Sequence, residues 1–338
     1  MKAAVIGAGI FGCVTAVELA RNGFEVDLYE RHGDILLGAS RANQGRLHHG
    51  YHYPRAGVDM RPNARRFADR FPDAIRHSAR QYYCVAAERS RLTGPEYLDF
   101  CRRTGLPFQR HTPSVVQAES VAECIRVPES YVDIRALRGL LSSQLHRAGV
   151  RRHLHTAVQP EELGYDWVVQ ATYGQPWSQP LRYEVCETAL IRLGQHMTKL
   201  GFVVMDGPFV SLDPTSGGLH MLYDVAHSVH ASNVGVAPEI PGHLVPLIDK
   251  GVVFTEHTRL EAMLQTARRF LRGVGMPEYC GSMFTVRAVL PDVDATDERP
   301  TLVQRDGRVI TVLSGKICST VQAADEVLAA VREAVPAA

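Results

Sequence analysis

Hydrophobic and polar positions change rhythm several times along the chain, and the changes mark its elements. Lys2-Ala3-Ala4-Val5-Ile6 is a short apolar run, the pattern of a buried strand. Gly7-Ala8-Gly9-Ile10-Phe11-Gly12 follows at once. From Cys13 to Arg21, Val14, Val17 and Ala20 recur at helical spacing, and Asn22-Gly23 stops the helix. Phe24, Val26 and Leu28 then alternate with Glu25, Asp27 and Tyr29, which predicts a second strand ending in Glu30.

Further along, Phe67, Phe71 and Ile75 predict a helix over 64–78. A strand is expected over 81–87 and a helix over 96–104, closed by Gly105. Residues 106–130 are irregular. Leu137, Leu140, Leu141 and Leu145 share one side of a helix over 134–147, and 153–158 reads as a strand. The apolar strand Trp167-Val168-Val169-Gln170 runs into the small-residue turn Ala171-Thr172-Tyr173-Gly174. Residues 183–256 read mostly as alternating strands, with turns at Asp206-Gly207-Pro208, Asp213-Pro214 and Ser216-Gly217-Gly218, an antiparallel character. A helix over 260–273, a strand over 309–313, a turn at Ser314-Gly315-Lys316 and a helix over 320–334 complete the chain.

With 338 residues, 45% of them hydrophobic, two domains around a shared cofactor fit the length. A formal net charge of +1 supplies no field for nucleic acid or a membrane surface. The 7 cysteines are scattered, odd in number and free of any CxxC, so neither a disulfide framework nor a zinc site is expected. These features fit a reducing cytoplasm. No apolar run reaches the length of a membrane span, and the N-terminus has no signal-peptide pattern.

Strand, GxGxxG, helix, strand and acid in that order give the glycine motif its context. Gly7 permits the tight turn, Gly9 lets the backbone approach a pyrophosphate at the helix N-terminus, and Gly12 lets helix and strand pack closely. Glu30 is placed to accept hydrogen bonds from ribose hydroxyls, which argues against NADP. A second small-residue turn at Thr172 suits a dinucleotide in the same way. The motif by itself leaves NAD and FAD open; its start at residue 7 favours FAD.

Taken together, Gly7–Gly12 with Glu30, the block GASRANQGRLHHGYHYPR (38–55), Tyr131-Val132-Asp133, Ala171-Thr172-Tyr173-Gly174, Arg287-Ala288-Val289-Leu290-Pro291-Asp292 and Val312-Leu313-Ser314-Gly315-Lys316-Ile317 resemble the FAD-dependent D-amino-acid oxidase superfamily. Ser40-x-Ala42-Asn43-x-Gly45 with Gly50-Tyr51 is similar to its D-amino-acid dehydrogenase branch, and Asn43-x-Gly45-x-x-His48-x-Gly50-x-x-Tyr53 to its L-2-hydroxyglutarate oxidase branch. Glycine oxidases belong to the same group. The resemblance implies an α/β plus α+β fold, a FAD-binding Rossmann-like domain (1–78, 131–182 and 286–338) interleaved with a substrate domain on a mainly antiparallel sheet (79–130 and 183–285). It implies cofactor contacts at Ile10, Phe11, Arg31, Ser40, Asn43, Gln44, Gly45, Val158 and Thr172, besides Gly7, Gly9, Gly12 and Glu30. Where many members carry a glycine- and histidine-rich segment, this chain has Leu313-Ser314-Gly315-Lys316-Ile317-Cys318. Lys316, or the amides of Gly315, Lys316 and Ile317, would there stabilise negative charge on the flavin. The Gly-Asp pair of aromatic hydroxylases is missing near the C-terminus, which speaks against a monooxygenase.

The histidines of the block lack metal-ligand spacing. His48 suits a catalytic base, because an alcohol must lose its hydroxyl proton as its carbon loses hydride, whereas a neutral amine needs no base. It equally suits flavin packing, and covalent attachment of flavin at His48 or Cys318 is an alternative. Arg46, Arg55 and Arg287 are candidates to grip a substrate carboxylate, with His52 and Tyr53 beside them; His220, His227 and His230 read as structural. Catalytic roles are expected at His48, Arg287 and Lys316. The expected activity is FAD-dependent oxidation of a CH–NH bond in an amino acid or related amine, with oxygen or another electron acceptor reoxidising the cofactor. The alternatives are CH–OH oxidation of a 2-hydroxy acid or polyol, a flavin-binding protein without turnover, and an NAD-only dehydrogenase.

Overall fold

The computed structural model of the chain describes residues 1–77, 79–173, 177–207, 209–291 and 299–333. Ser78, Gly174, Pro208, Asp292 and Ala334, each part of a sequence-based expectation, lie outside them. Strand β1 (Lys2–Ile6), helix α1 (Ile10–Arg21) and strand β2 (Glu25–Tyr29) follow each other as the periodicity predicts. The helix starts three residues earlier than its apolar spacing shows, since the glycine turn feeds directly into it. Gly23, at φ +85°, closes it in the left-handed region that glycine enters without penalty.

These elements build a six-stranded sheet in the order 302–306, 309–313, 167–170, β1, β2, 151–153. All neighbours are parallel except the pair at the 302–306 edge. One face of this sheet carries the larger apolar core, in which α1 packs with helices Ile134–Arg147 and Thr320–Glu333. The other face is covered by a smaller set around Ala4, Ile6 and Val168. The helix at 134–147 begins where Asp133 accepts hydrogen bonds from the N–H groups of Arg135 and Ala136, a side-chain cap.

Two local expectations change. The helix expected over 64–78 runs only over Arg61–Arg70, because Pro72 cannot continue it. The strand expected over 153–158 is Arg151–His153, because His155 turns the chain at φ +53°.

A nine-stranded sheet holds the rest. Leu181–Arg192 pairs antiparallel with Glu278–Val289 along nearly its whole length. Its other edge is shared between Val229–Gly235 and Leu219–Asp224. From the latter the sheet continues through Val210–Pro214, Leu200–Met205, Arg80–Ala86, Val121–Val127 and Gln109–Arg110. The pairing is antiparallel except between Leu200–Met205 and Arg80–Ala86. Residues 181–182 and 286–289 belong to the larger sheet, since the strands that contain them pair with each other across 182–289. Among the described residues no helix is long and apolar enough to cross a membrane.

The two large sheets meet at a three-stranded antiparallel piece, Arg46–Leu47, Ser130–Val132 and Ile75–Arg76. Close approach there is bought by glycine: a Cβ on Gly201 would lie 2.0 Å from both Gln81 Oε1 and Tyr131 Oη. Gly201→Ala is therefore expected to destabilise the protein by about 1–3 kcal/mol, the range for overpacking a filled core. The shift of the urea unfolding midpoint measures it.

Candidate functional site

The turn between β1 and α1 is shaped by three glycines doing different things. Gly7 sits at φ +96°, and a Cβ on it would lie 2.7 Å from the Ala171 carbonyl oxygen. A Cβ on Gly12 would lie 1.8 Å from the Gly7 carbonyl oxygen, so helix and turn close only without one. A Cβ on Gly9 would meet only Ser40 Oγ, at 3.3 Å, which leaves this approach to the helix N-terminus open. Ser40 reaches in from a distant segment, and its Oγ accepts from the Ile10 N–H (3.0 Å). Glu30 is buried, and its two oxygens accept from the N–H groups of Ala8 (2.7 Å) and His32 (2.9 Å).

Around this turn, Ile10 is buried and Phe11 packs against the main core. Val158 packs on the opposite sheet face near Ala4, Ile6 and Val168. Thr172 is exposed, and Tyr173 beside it has φ +63°. Arg31 is exposed and pairs with Asp249 (3.0 Å).

A cleft opens between the two sheets, lined by residues of both. Asn43, Gln44, Arg46 and His48 form one wall, and Gly315, Lys316 and Ile317 close an end. The larger sheet supplies the opposite wall through Cys186, Thr188, Tyr223, Thr285 and Arg287. Strand alternation and register explain that set: Cys186 and Thr188 share a face, and Cys186 pairs across to Thr285 as Glu184 does to Arg287. Arg299 also lines the cleft. Of the residues expected to meet a ligand, His48, Arg46, Arg287 and Lys316 are thus brought together. His52 and Tyr53 lie behind the wall: the Arg46 Nη1 donates to His52 Nε2 (2.7 Å), and the Lys316 ammonium sits 5.7 Å above the Tyr53 ring. Gly45 shapes the wall without lining it, at φ +70° with Val132 N–H donating to its carbonyl (2.6 Å). Arg55 is tied to Asp206 instead of reaching the cleft. His230 Nε2 donates to buried Glu187 (2.8 Å), away from the cleft.

The electrostatics are one-sided. Arg46 is buried, with its Nε 2.9 Å from Asp213 Oδ1 at an angle that is ionic rather than hydrogen-bonded. Its Nη2 donates to Gln44 Oε1 (3.1 Å). Because arginine only donates, His52 Nε2 must accept and its proton sits on Nδ1. Arg287 Nε donates to Glu184 Oε2 (2.7 Å), a pair that orients the guanidinium over the Tyr223 ring at 5.8 Å. Burial first, then Arg299, Arg46 and Arg287, push the Lys316 ammonium down to about 7. Burial and then Lys316 and Arg46 hold the His48 imidazole well below its ordinary pKa, so it is neutral. Its Nδ1 meets no hydrogen-bond partner among the described residues. Behind the wall, Glu129 accepts from the His49 N–H and the Tyr83 hydroxyl (2.7 Å each), and burial pushes it up to about 7.

Tyr223, Cys186, Thr188, Thr285 and Arg299 were not visible in the sequence as cleft residues. For the first four the signal is register between strands far apart in the chain, which is invisible until the strands pair; Arg299 lies outside the strands and reaches the cleft through tertiary packing.

The donor set fits FAD. A glycine-lined helix terminus with an open approach, a buried carboxylate at its base and a cleft between two sheets suit a dinucleotide cofactor. Gly7, Gly9, Gly12 and Glu30 would hold the pyrophosphate and ribose, and the 43–46 and 315–317 segments the ring.

Comparison with known proteins agrees. The model of a family described as DAO, FAD dependent oxidoreductase, matches residues 2–186. The chain is similar to the FAD-dependent monooxygenase FPY4 of Fusarium mangiferae, at 27% identity over 93% of this chain and 86% of that protein. Among solved structures it is similar to glycine oxidase from Geobacillus kaustophilus, with a TM-score of 0.70 at 16% identity over 99% of this chain and 95% of that one. It is also similar to L-alpha-glycerophosphate oxidase from Mycoplasma pneumoniae with FAD bound, with a TM-score of 0.74 at 13% identity over 98% and 94%. At these identities the structural likeness speaks for the fold.

Lys316 carries its charge below its pKa of about 7 and loses it above. Binding of a simple carboxylate, acetate, is expected to weaken about tenfold as pH rises across that value, the worth of one hydrogen bond to a charged group. Lys316→Met should abolish the dependence; titration calorimetry at two pH values reads both.

Proposed function

Since the chain belongs to the DAO family of FAD-dependent oxidoreductases, we propose that it oxidises the CH–NH bond of an amino acid or related amine bearing a carboxylate. Bound FAD supplies the two-electron acceptor. The chain's residues bind and orient the substrate and manage its proton. Arg46, Arg287, Arg299 and Lys316 all line the cleft, and the three arginines together lower the proton affinity of the lysine. An anionic ligand is therefore favoured. Arg287, held by Glu184 through Nε and Nη2, keeps N–H donors for a substrate carboxylate.

The observation that carries the amine reading is the state of His48. An alcohol requires a base for its hydroxyl proton. Burial, with Lys316 and Arg46 facing it, lowers the proton affinity of the His48 imidazole and so weakens it as that base. A neutral amine requires no such base. The cationic lining, Arg46, Arg287, Arg299 and Lys316, disfavours the ammonium form of a bound amine and so favours its neutral form.

A second reading follows from the full-length likeness to a protein named as a monooxygenase: oxygen transfer to the same bound amine. Isotope-labelled dioxygen separates the two, since label in the organic product speaks for transfer and label in peroxide for oxidation.

Anaerobic mixing with amino acids, amines, 2-hydroxy acids and polyols, followed at the visible flavin band, tests the proposal. Bleaching by amino acids or amines is expected; bleaching by hydroxy acids or polyols alone refutes it. His48→Ala is expected to keep the bleaching rate within about tenfold, whereas loss of a general base costs about a hundredfold or more.

A further inference from the structure

Asp249 ties together three segments that border the cofactor cleft. Its Oδ2 accepts from Arg31 Nη2 (3.0 Å) and lies 3.7 Å from His32 Nε2. Its Oδ1 accepts from Thr285 Oγ1 (2.9 Å). Its carbonyl accepts from Arg41 Nη2 (2.7 Å), which also donates to the Leu37 carbonyl (2.8 Å). Its own N–H donates to the Phe284 carbonyl (2.9 Å).

Each partner has a place in the site. Arg31 and His32 follow Glu30 directly. Arg41 follows Ser40, whose hydroxyl receives the first N–H of α1. Thr285 lies on the cleft wall, two residues from Arg287 on the same strand. One residue from the larger sheet's loops therefore fastens the ribose-side residues and the cleft wall through its carboxylate, and the segment that meets the phosphate turn through its backbone carbonyl. Its side chain is only 6% exposed, although its partner Arg31 is 65% exposed. Asp249 holds φ +57°, where aspartate and asparagine are tolerated better than most residues. Gly251, at φ +89°, leaves room for Arg41, since a Cβ there would lie 2.7 Å from Arg41 Nη1.

The geometry points to Asp249 as a latch over the cofactor cleft, a positioning residue that sets how fast FAD leaves and enters. The latch rests on the FAD assignment of the cleft and adds to it. No bond changes in this step: the loop carrying Asp249 must release Arg31, Arg41 and Thr285 before the cofactor's nucleotide end is uncovered.

Asp249→Asn keeps the shape and the backbone tolerance and removes the charge; Thr285→Val removes one neutral hydrogen bond. The holoenzyme is diluted and free FAD is followed by its fluorescence, and the melting temperature of the FAD-stripped protein is measured alongside. FAD release is expected to speed up about tenfold in Asp249→Asn, equivalent to ~1.4 kcal/mol, and by a smaller factor in Thr285→Val, with the stripped proteins melting like wild type. A merely structural role would lower the stripped protein's melting temperature and leave release unchanged. Release at the wild-type rate in both variants overturns the latch. If Asp249→Asn does not fold, Thr285→Val decides in the same two directions. Wild-type protein that takes up no FAD would remove the cofactor assignment and the latch together, an outcome distinct from a wild type that binds FAD and variants that release it no faster.

Discussion

A guanidinium buried in the seam between the sheets constrains much of what surrounds it. Arg46 is nearly water-free, and a buried charge must be surrounded by acceptors to remain tolerable. Asp213 from the larger sheet, Gln44 and His52 supply them. Removing one partner of such a pair leaves a bare charge and typically costs about 3–5 kcal/mol. The pair therefore pins the 43–48 segment against the larger sheet, which is what gives the cleft two walls of different origin. Gly45, Val132 and the three-stranded piece hold the same segment from the other side.

The seam also sets the character of the cleft. Positive side chains converge there because each wall contributes its own, and burial strengthens their mutual effect. The result is a histidine held neutral and a lysine brought to about 7. Two neighbouring carboxyls, Asp213 and Glu129, are raised by burial to about 6 and about 7. Protonation around the cleft is thus balanced near neutrality by groups that are individually far from their ordinary behaviour. An anionic ligand relieves that concentration of charge, and a proton-demanding substrate aggravates it. The Asp249 contacts act on the other end of the same seam, joining the nucleotide side to the strand that carries Arg287.

Local pattern alone determined the dinucleotide-binding unit. A buried strand, a glycine turn, a helix and an alternating strand are encoded within thirty residues, so Gly7, Gly9, Gly12 and Glu30 could be assigned roles from spacing. The helix at 134–147 was equally legible, since its cap and apolar stripe are local. The antiparallel character of the middle of the chain and the importance of His48, Arg46, Arg287 and Lys316 could be read as expectations, though not how they meet. Tertiary structure alone decided which side chains share the cleft. Strand register put Cys186, Thr188, Thr285 and Tyr223 on its wall, while tertiary packing of the turn at 50–53 put His52 and Tyr53 behind it. It decided that Arg31 meets Asp249, 218 positions away. It also decided the charge state of His48, because an imidazole's proton affinity depends on what is buried beside it. The physical reason is common to all: hydrophobic period and turn chemistry act over a few neighbouring residues, whereas register, burial and electrostatic neighbours are properties of strands that meet only when the whole sheet has formed.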